Sequence, residues 1–189
     1  MDIGQINARY FMTVVAIGVL PEGINDVESE DKTKFEKFAY DLSAIKSLIS
    51  METFQFRVAL DGTAEERETS TILNGLTNSI DGGETLFPAA NVNDGFLNFL
   101  AIKDKSFLDT ITVPDLLQRF DSSTQNIKYK RLKNCVIEQL DSAHLLTVNI
   151  GGDSGSELPI SIKILPPAYT YLLWKTQIRF YWLLHGRGT

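Results

Sequence analysis

Three short runs in the sequence combine carboxylate or amide oxygens with glycine. The first is Asn91-Val92-Asn93-Asp94-Gly95-Phe96, placed just before an apolar stretch. An aspartate followed by glycine at a strand entrance offers a carboxylate plus nearby backbone carbonyls, the oxygen ligands that Mg2+ or Ca2+ takes. The same residues also make a plain Asp-Gly turn, and spacing alone favours the turn. The second run, Gly151-Gly152-Asp153-Ser154-Gly155, follows the segment HLLTVNI directly. An acid on such a loop can accept a proton from a hydroxyl nucleophile. A hairpin turn capped by the aspartate uses the same residues. The third run is Ser79-Ile80-Asp81-Gly82-Gly83, with Asn74 and Asn78 ahead of it. Paired glycines let backbone approach a ligand closely or turn at positive φ, and here too a turn suffices.

Other chemistries are excluded by counting. The 189 residues contain one cysteine, Cys135, and two histidines, His144 and His185, so disulfide frameworks and multi-histidine or cysteine-based metal cages are out. Cys135 reads as a small buried hydrophobe and His144 as a surface residue. There is no GxxxxGK[ST] phosphate loop, no GxGxxG after a strand, no GxSxG elbow and no HExxH. The formal net charge of -6 repels phosphate backbones and argues against nucleic-acid binding. No apolar run reaches the ~20 residues that span a bilayer, and 169–185 is interrupted by Lys175, Gln177 and Arg179. No secretory signal opens the chain, which suits a cytoplasmic setting.

The elements that would position these runs are mostly strands. Hydrophobic residues are 43% and charged residues 22%, an ordinary globular balance for one domain. Residues 8–20 are β-branched and aromatic and read as one buried strand. Phe35, Phe38, Leu42, Ile45 and Ile49 recur at intervals of three and four, the apolar face of a helix. From Phe54 the period changes to two, Asp61-Gly62 signals a tight turn, and a second strand is expected over Glu68–Leu73. Residues 74–95 are too long and too rich in Asn, Gly and Asp for a simple connector. FLNFLAI (96–102) reads as a strand, and 105–120 as a helix broken near Pro114. IKYKRL, NCVIEQL, HLLTVNI and PISIKIL follow at regular spacing. The expectation is mainly β (α+β), an antiparallel β-sandwich or barrel with about two helices.

The order of the three glycine-bearing runs resembles the C-terminal domain of the diacylglycerol kinase-like lipid kinases, the bacterial group related to sphingosine and ceramide kinases. The resemblance runs from Asp2 to about Tyr171. It begins with DIGQIN (2–7) and Ala16-Ile17-Gly18, then continues through Lys34 and Phe38-Ala39-Tyr40. Asn74, Gly82-Gly83, Pro88-Ala89 and Asp94-Gly95-Phe96-Leu97 carry its most specific part. Asn149-Ile150-Gly151-Gly152-Asp153 and Leu165-Pro166 close it.

That family implies an antiparallel β-sandwich beside an α/β nucleotide-binding domain with a GGDGT motif, the two sharing a cleft for ATP and lipid. The resemblance implies Asp94, Asn91 and Phe96 (by its backbone carbonyl) as the Mg2+ site, Asn74, Gly82 and Gly83 as cofactor-binding positions, and Asp153 as the general base on the lipid hydroxyl. Two departures stand out. The family shows Asp-Gly-Glu where this chain has Gly151-Gly152-Asp153, so the retained acid is one methylene shorter and its oxygens fall back by roughly 1.3 Å. Displacements near 1 Å can cost about 10²-fold in rate. GGDGT does not occur in the 189 residues. The expectation is a sandwich domain over 1–173 with a tail at 174–189. It would act as the lipid-side half of a lipid kinase, inactive without its nucleotide-binding partner domain. The alternative is a non-catalytic lipid-binding or homodimerisation module. The aromatic tail leaves peripheral membrane contact open.

Overall fold

A computed structural model describes residues 1–18, 52–77, 87, 90–103, 125–141, 146–151 and 153–165. The two expected helices, Gly82-Gly83, His144, His185 and the 174–189 tail lie outside the described residues.

Among the described residues, twelve strands form two six-stranded sheets. The first has the order β2 (Arg9–Phe11), β1 (Ile3–Ile6), β12 (Ile160–Leu165), β9 (Asn134–Gln139), β4 (Phe54–Leu60) and β5 (Thr63–Thr69). The second has the order β11 (Asp153–Glu157), β10 (Thr147–Ile150), β3 (Val14–Ile17), β6 (Thr71–Gly75), β7 (Leu97–Ile102) and β8 (Ile127–Leu132). Every pairing is antiparallel.

Alternation dictates the first sheet. In β4, Phe54, Phe56, Val58 and Leu60 point inward while Gln55 and Arg57 face solvent. They meet Val15, Ile17, Ile72, Leu97, Phe99 and Val148 of the second sheet in one continuous core. That second sheet is buried on its other face too, at Val14, Ala16, Leu73 and Leu100. Near-continuous apolar runs such as β7 are the sequence form of a strand covered on both faces.

The β4–β5 hairpin forms as Asp61-Gly62 predicts. Both turn residues have positive φ, 50° and 84°, the type I′ geometry that matches strand twist. Asp61 also accepts the backbone N–H groups of Lys133 and Asn134 at 2.9 and 3.0 Å. It thereby fixes the point where the chain crosses from β8 in one sheet to β9 in the other.

Three expectations need correction. Residues 8–20 are not one strand: β2 belongs to the first sheet and β3 to the second, with Met12-Thr13 as the crossing. Glu68–Leu73 is likewise split, β5 ending at Thr69 and β6 beginning at Thr71. The corner holds because Thr69, Ser70 and Thr71 carry hydroxyls. Thr69 Oγ1 and Ser70 Oγ donate to the Ile102 carbonyl at 2.6 and 2.8 Å, and Thr71 Oγ1 donates to Gly18 O at 3.1 Å. Gly18 is required there, since its φ is +75° and a Cβ would overlap the Ser70 carbonyl. Finally, Asp153-Ser154-Gly155 is not loop but the start of edge strand β11, with Asp153 opposite Ile150.

The edges of the sandwich are fastened by charge. Lys128 on β8 pairs with Glu65 on β5, and Lys103 donates to Glu68 at 2.7 Å. By register, Lys128 and Lys130 share a face with Ala101 and Phe99, so this edge strand carries inward cations that discourage pairing with another chain. On the opposite side, Arg9 of β2 reaches the Ser154 carbonyl of β11 at 2.9 Å.

Candidate functional site

Strand register gathers the candidate residues at one end of the sandwich. Asn98 lies opposite Gly75, Gly75 opposite Val14, and Gly151 N–H donates to Val14 O at 2.9 Å. The entry to β7, the exit of β6, the entry to β3 and the β10–β11 turn therefore share a rim. Asp2 at the entry to β1 joins it, since its N–H donates to Val92 O at 2.6 Å. Asp94 and Asp153 are on this rim but not together. Strands β7 and β11 are four places apart in the sheet, roughly 19 Å at about 4.8 Å per strand.

The loop before β7 is closed by its own oxygens. Asp94 Oδ1 accepts from the Phe96 amide at 2.9 Å, and Oδ2 accepts from the Asn91 amide at 3.0 Å. Asn91 Oδ1 accepts from the Asn93 amide at 3.2 Å, and Asp94 N–H returns to Asn91 O at 3.2 Å. Short polar side chains make such local turns because they reach backbone donors two or three residues away. Gly95, at φ 72°, carries the chain through the bend. Asn91, Asp94 and Phe96, the three expected metal ligands, are thus brought into one turn.

Side chains that the sequence did not single out complete the loop. Asp2 Oδ2 accepts from the Gly95 amide at 2.8 Å, so Asp2 and Asp94 grip adjacent peptide groups. Asp2 is 1% exposed, and its Oδ1 has no hydrogen-bond partner. A buried carboxylate oxygen without a donor is costly unless a cation or water meets it. Arg131 Nη2 donates to Asp94 Oδ2 at 2.8 Å, and its guanidinium lies 4.5 Å from the centre of the Phe96 ring. Lys133 Nζ lies 5.9 Å from the same ring. Beside them, Tyr129 donates to Asn98 Oδ1 at 2.5 Å. Burial is the main reason that the Tyr129 hydroxyl is pushed up to about 12; Arg131 opposes the shift and Asp94 adds to it.

The donor chemistry at this loop fits a hard cation: the carboxylates of Asp2 and Asp94 grip adjacent peptide groups, and Asp2 Oδ1 is buried without a partner. Among the described residues no three His, Cys, Asp or Glu side chains cluster as a cage. Mg2+ typically takes one or two carboxylates and keeps several waters, so two acids meet its needs.

The other expected residues that the structure describes lie away from this loop. Asp153 is exposed on β11, one residue before the Ser154 carbonyl that Arg9 holds. Asn74 is fully buried between the sheets. Its Oδ1 faces Cys135 Sγ at 3.5 Å, and its Nδ2 has no partner. Cys135 is a buried free thiol, pushed up to about 12 chiefly by burial and secondarily by Asp61.

Comparison with known proteins agrees with the fold. Residues 13–173 match the family described as the YegS C-terminal NAD kinase beta sandwich-like domain. The chain belongs to that family. It is 34% identical over 166 residues to a putative lipid kinase of Streptococcus pneumoniae, covering 87% of this chain and 54% of the relative. It is 30% identical over 160 residues to a diacylglycerol kinase of Bacillus subtilis, covering 84% and 52%. The crystal structure of a putative diacylglycerol kinase from Bacillus anthracis superposes with a TM-score of 0.65 at 24% identity, covering 87% of this chain and 53% of that one. That likeness supports the fold. The chain spans about half the length of the relatives it matches. Among the described residues no helix is long and apolar enough to cross a membrane.

Proposed function

We propose that this chain is the sandwich-bearing part of an ATP-dependent kinase that phosphorylates a hydroxyl of a diacylglycerol-like lipid. The observation that carries the reading is the shared rim, where the Asp94 loop and Asp153 open on the same end of the fold. Asp153, at the edge of the second sheet, accepts the proton of the lipid hydroxyl as that oxygen bonds to the terminal phosphorus of ATP and the bond to the bridging oxygen breaks, releasing ADP. The 91–96 loop, held by Asp2, Asp94 and Asn91, would hold Mg2+, and the ion would neutralise the Asp2 and Asp94 carboxylates there. The spacing of roughly 19 Å between β7 and β11 makes one ion in contact with both Asp94 and Asp153 a poor reading. The nucleotide is held by a GGDGT-bearing domain outside residues 1–189.

The test is a chimera in which this chain replaces the matching segment of the Bacillus subtilis diacylglycerol kinase. Transfer of label from ATP to diacylglycerol in mixed micelles supports the reading. A folded chimera that transfers no label, and gains none with Asp153→Glu, counts against it. A second reading, a lipid-binding or dimerising module without catalysis, is favoured by the loss of the Asp-Gly-Glu pattern at 151–153. It requires lipid retention that is indifferent to Asp153→Ala.

A further inference from the structure

The Asp94 carboxylate already holds a cation of the protein's own. Oδ2 accepts from both the Asn91 amide and Arg131 Nη2, while Oδ1 accepts from the Phe96 amide. Two of these three donors are backbone groups of the loop itself and leave only if the turn opens. The guanidinium comes from β8 on a long side chain and can swing away. Its side chain is 39% exposed, against 15% for Asp94. Stacking on Phe96 at 4.5 Å gives Arg131 a resting place that does not depend on the carboxylate.

We propose that Arg131 is a tethered counter-cation that competes with a divalent ion for Asp94 and so sets the affinity of the loop for that ion. The inference rests on the reading of the 91–96 loop as a Mg2+ site. Guanidinium and metal ion carry the same sign and need the same lone pair on Oδ2. An ion bound there repels Arg131, which then moves to the rim surface beside Lys133. The ion has an advantage that Arg131 lacks: Asp2 Oδ1 is buried and unpartnered, on a carboxylate whose other oxygen holds the Gly95 amide of this loop. At saturating concentration the ion wins. At low concentration Arg131 keeps Asp94 neutralised and the turn closed.

The experiment titrates the 189-residue chain with Mg2+ by calorimetry and follows thermal unfolding with and without the ion. Arg131→Gln is expected to bind Mg2+ about fivefold tighter, the factor that a half-exposed ion pair supplies. Its melting temperature falls below that of the wild type without Mg2+ and equals it at saturation. In the wild type, the Arg131 Nε–H resonance shifts as Mg2+ is added, a readout that needs no variant. Asp94→Asn abolishes uptake. Unchanged or weaker Mg2+ binding by Arg131→Gln, with uptake still lost in Asp94→Asn, overturns the competition and leaves the metal site standing. An unmoved Arg131 resonance at saturation overturns it equally. No Mg2+ uptake by either the wild type or Arg131→Gln overturns both.

Discussion

At the scale of single residues, burial decides chemistry. Cys135 is the one thiol in the sequence, and it lies between the sheets with Asn74 as its neighbour. Low dielectric disfavours the thiolate, which is the reactive form. Native protein at pH 8 should therefore resist a thiol reagent such as iodoacetamide, while unfolding in guanidinium should expose full reactivity. Rapid labelling of folded protein would contradict this placement. The character of Cys135 was legible from its apolar surroundings in NCVIEQL. That of Asp2 was not. An acid two residues into the chain looks solvated. Its burial depends on Val92 and Gly95, about ninety residues away, and no local pattern records such a contact.

At the scale of elements, turn chemistry and alternation were readable, while corners were not. The β4–β5 hairpin follows from period-two patterning and the Asp61-Gly62 turn, β7 from its continuous apolar run, and β8, β9 and β12 from short apolar-bearing segments at regular spacing. The crossings at Met12-Thr13 and Ser70 use one or two residues without glycine or proline, so strands on different sheets merged into single apolar runs. Strand β11 escaped notice because DSGSE is an exposed edge with nothing apolar to alternate. Asp61 shows how far one turn residue reaches. Asp61→Ala removes the acceptor for two backbone N–H groups and puts alanine at a φ of 50°. About 2 kcal/mol should be lost, a fall of roughly 4–8 °C in Tm for a domain of this size. Asp61→Asn keeps an acceptor and tolerates the left-handed conformation, so it should retain most of that stability. Equal losses from both substitutions, measured by thermal denaturation, would contradict this account of the turn.

At the scale of the whole molecule, the two sheets are joined by a core and by charges at one edge. Burial raises the Glu65 carboxyl, but hydrogen bonds and charge from Lys128 and Arg67 outweigh it and leave the group below its ordinary value of 4.5. Lys103 and Thr53 lower the exposed Glu68 carboxyl as well. A carboxyl lowered in the folded state stabilises above its unfolded pKa, and that contribution is lost as pH falls through the folded value. The edge should thus weaken below about pH 4.5, and Glu65→Gln should flatten the acid limb of the stability curve. A variant as acid-sensitive as the wild type would remove Glu65 from that role.

The rim belongs to this scale too, because it exists only once β6, β3 and β10 place the 91–96 loop and Asp153 at the same end. Its function is tested most directly by initial rates of phosphoryl transfer to diacylglycerol in the chimera. Asp153→Ala should lower kcat by about 10²-fold or more, whereas Asp153→Glu should match or exceed the parent. Full kcat in Asp153→Ala, with lipid still phosphorylated, would contradict the assignment of this rim to the reaction.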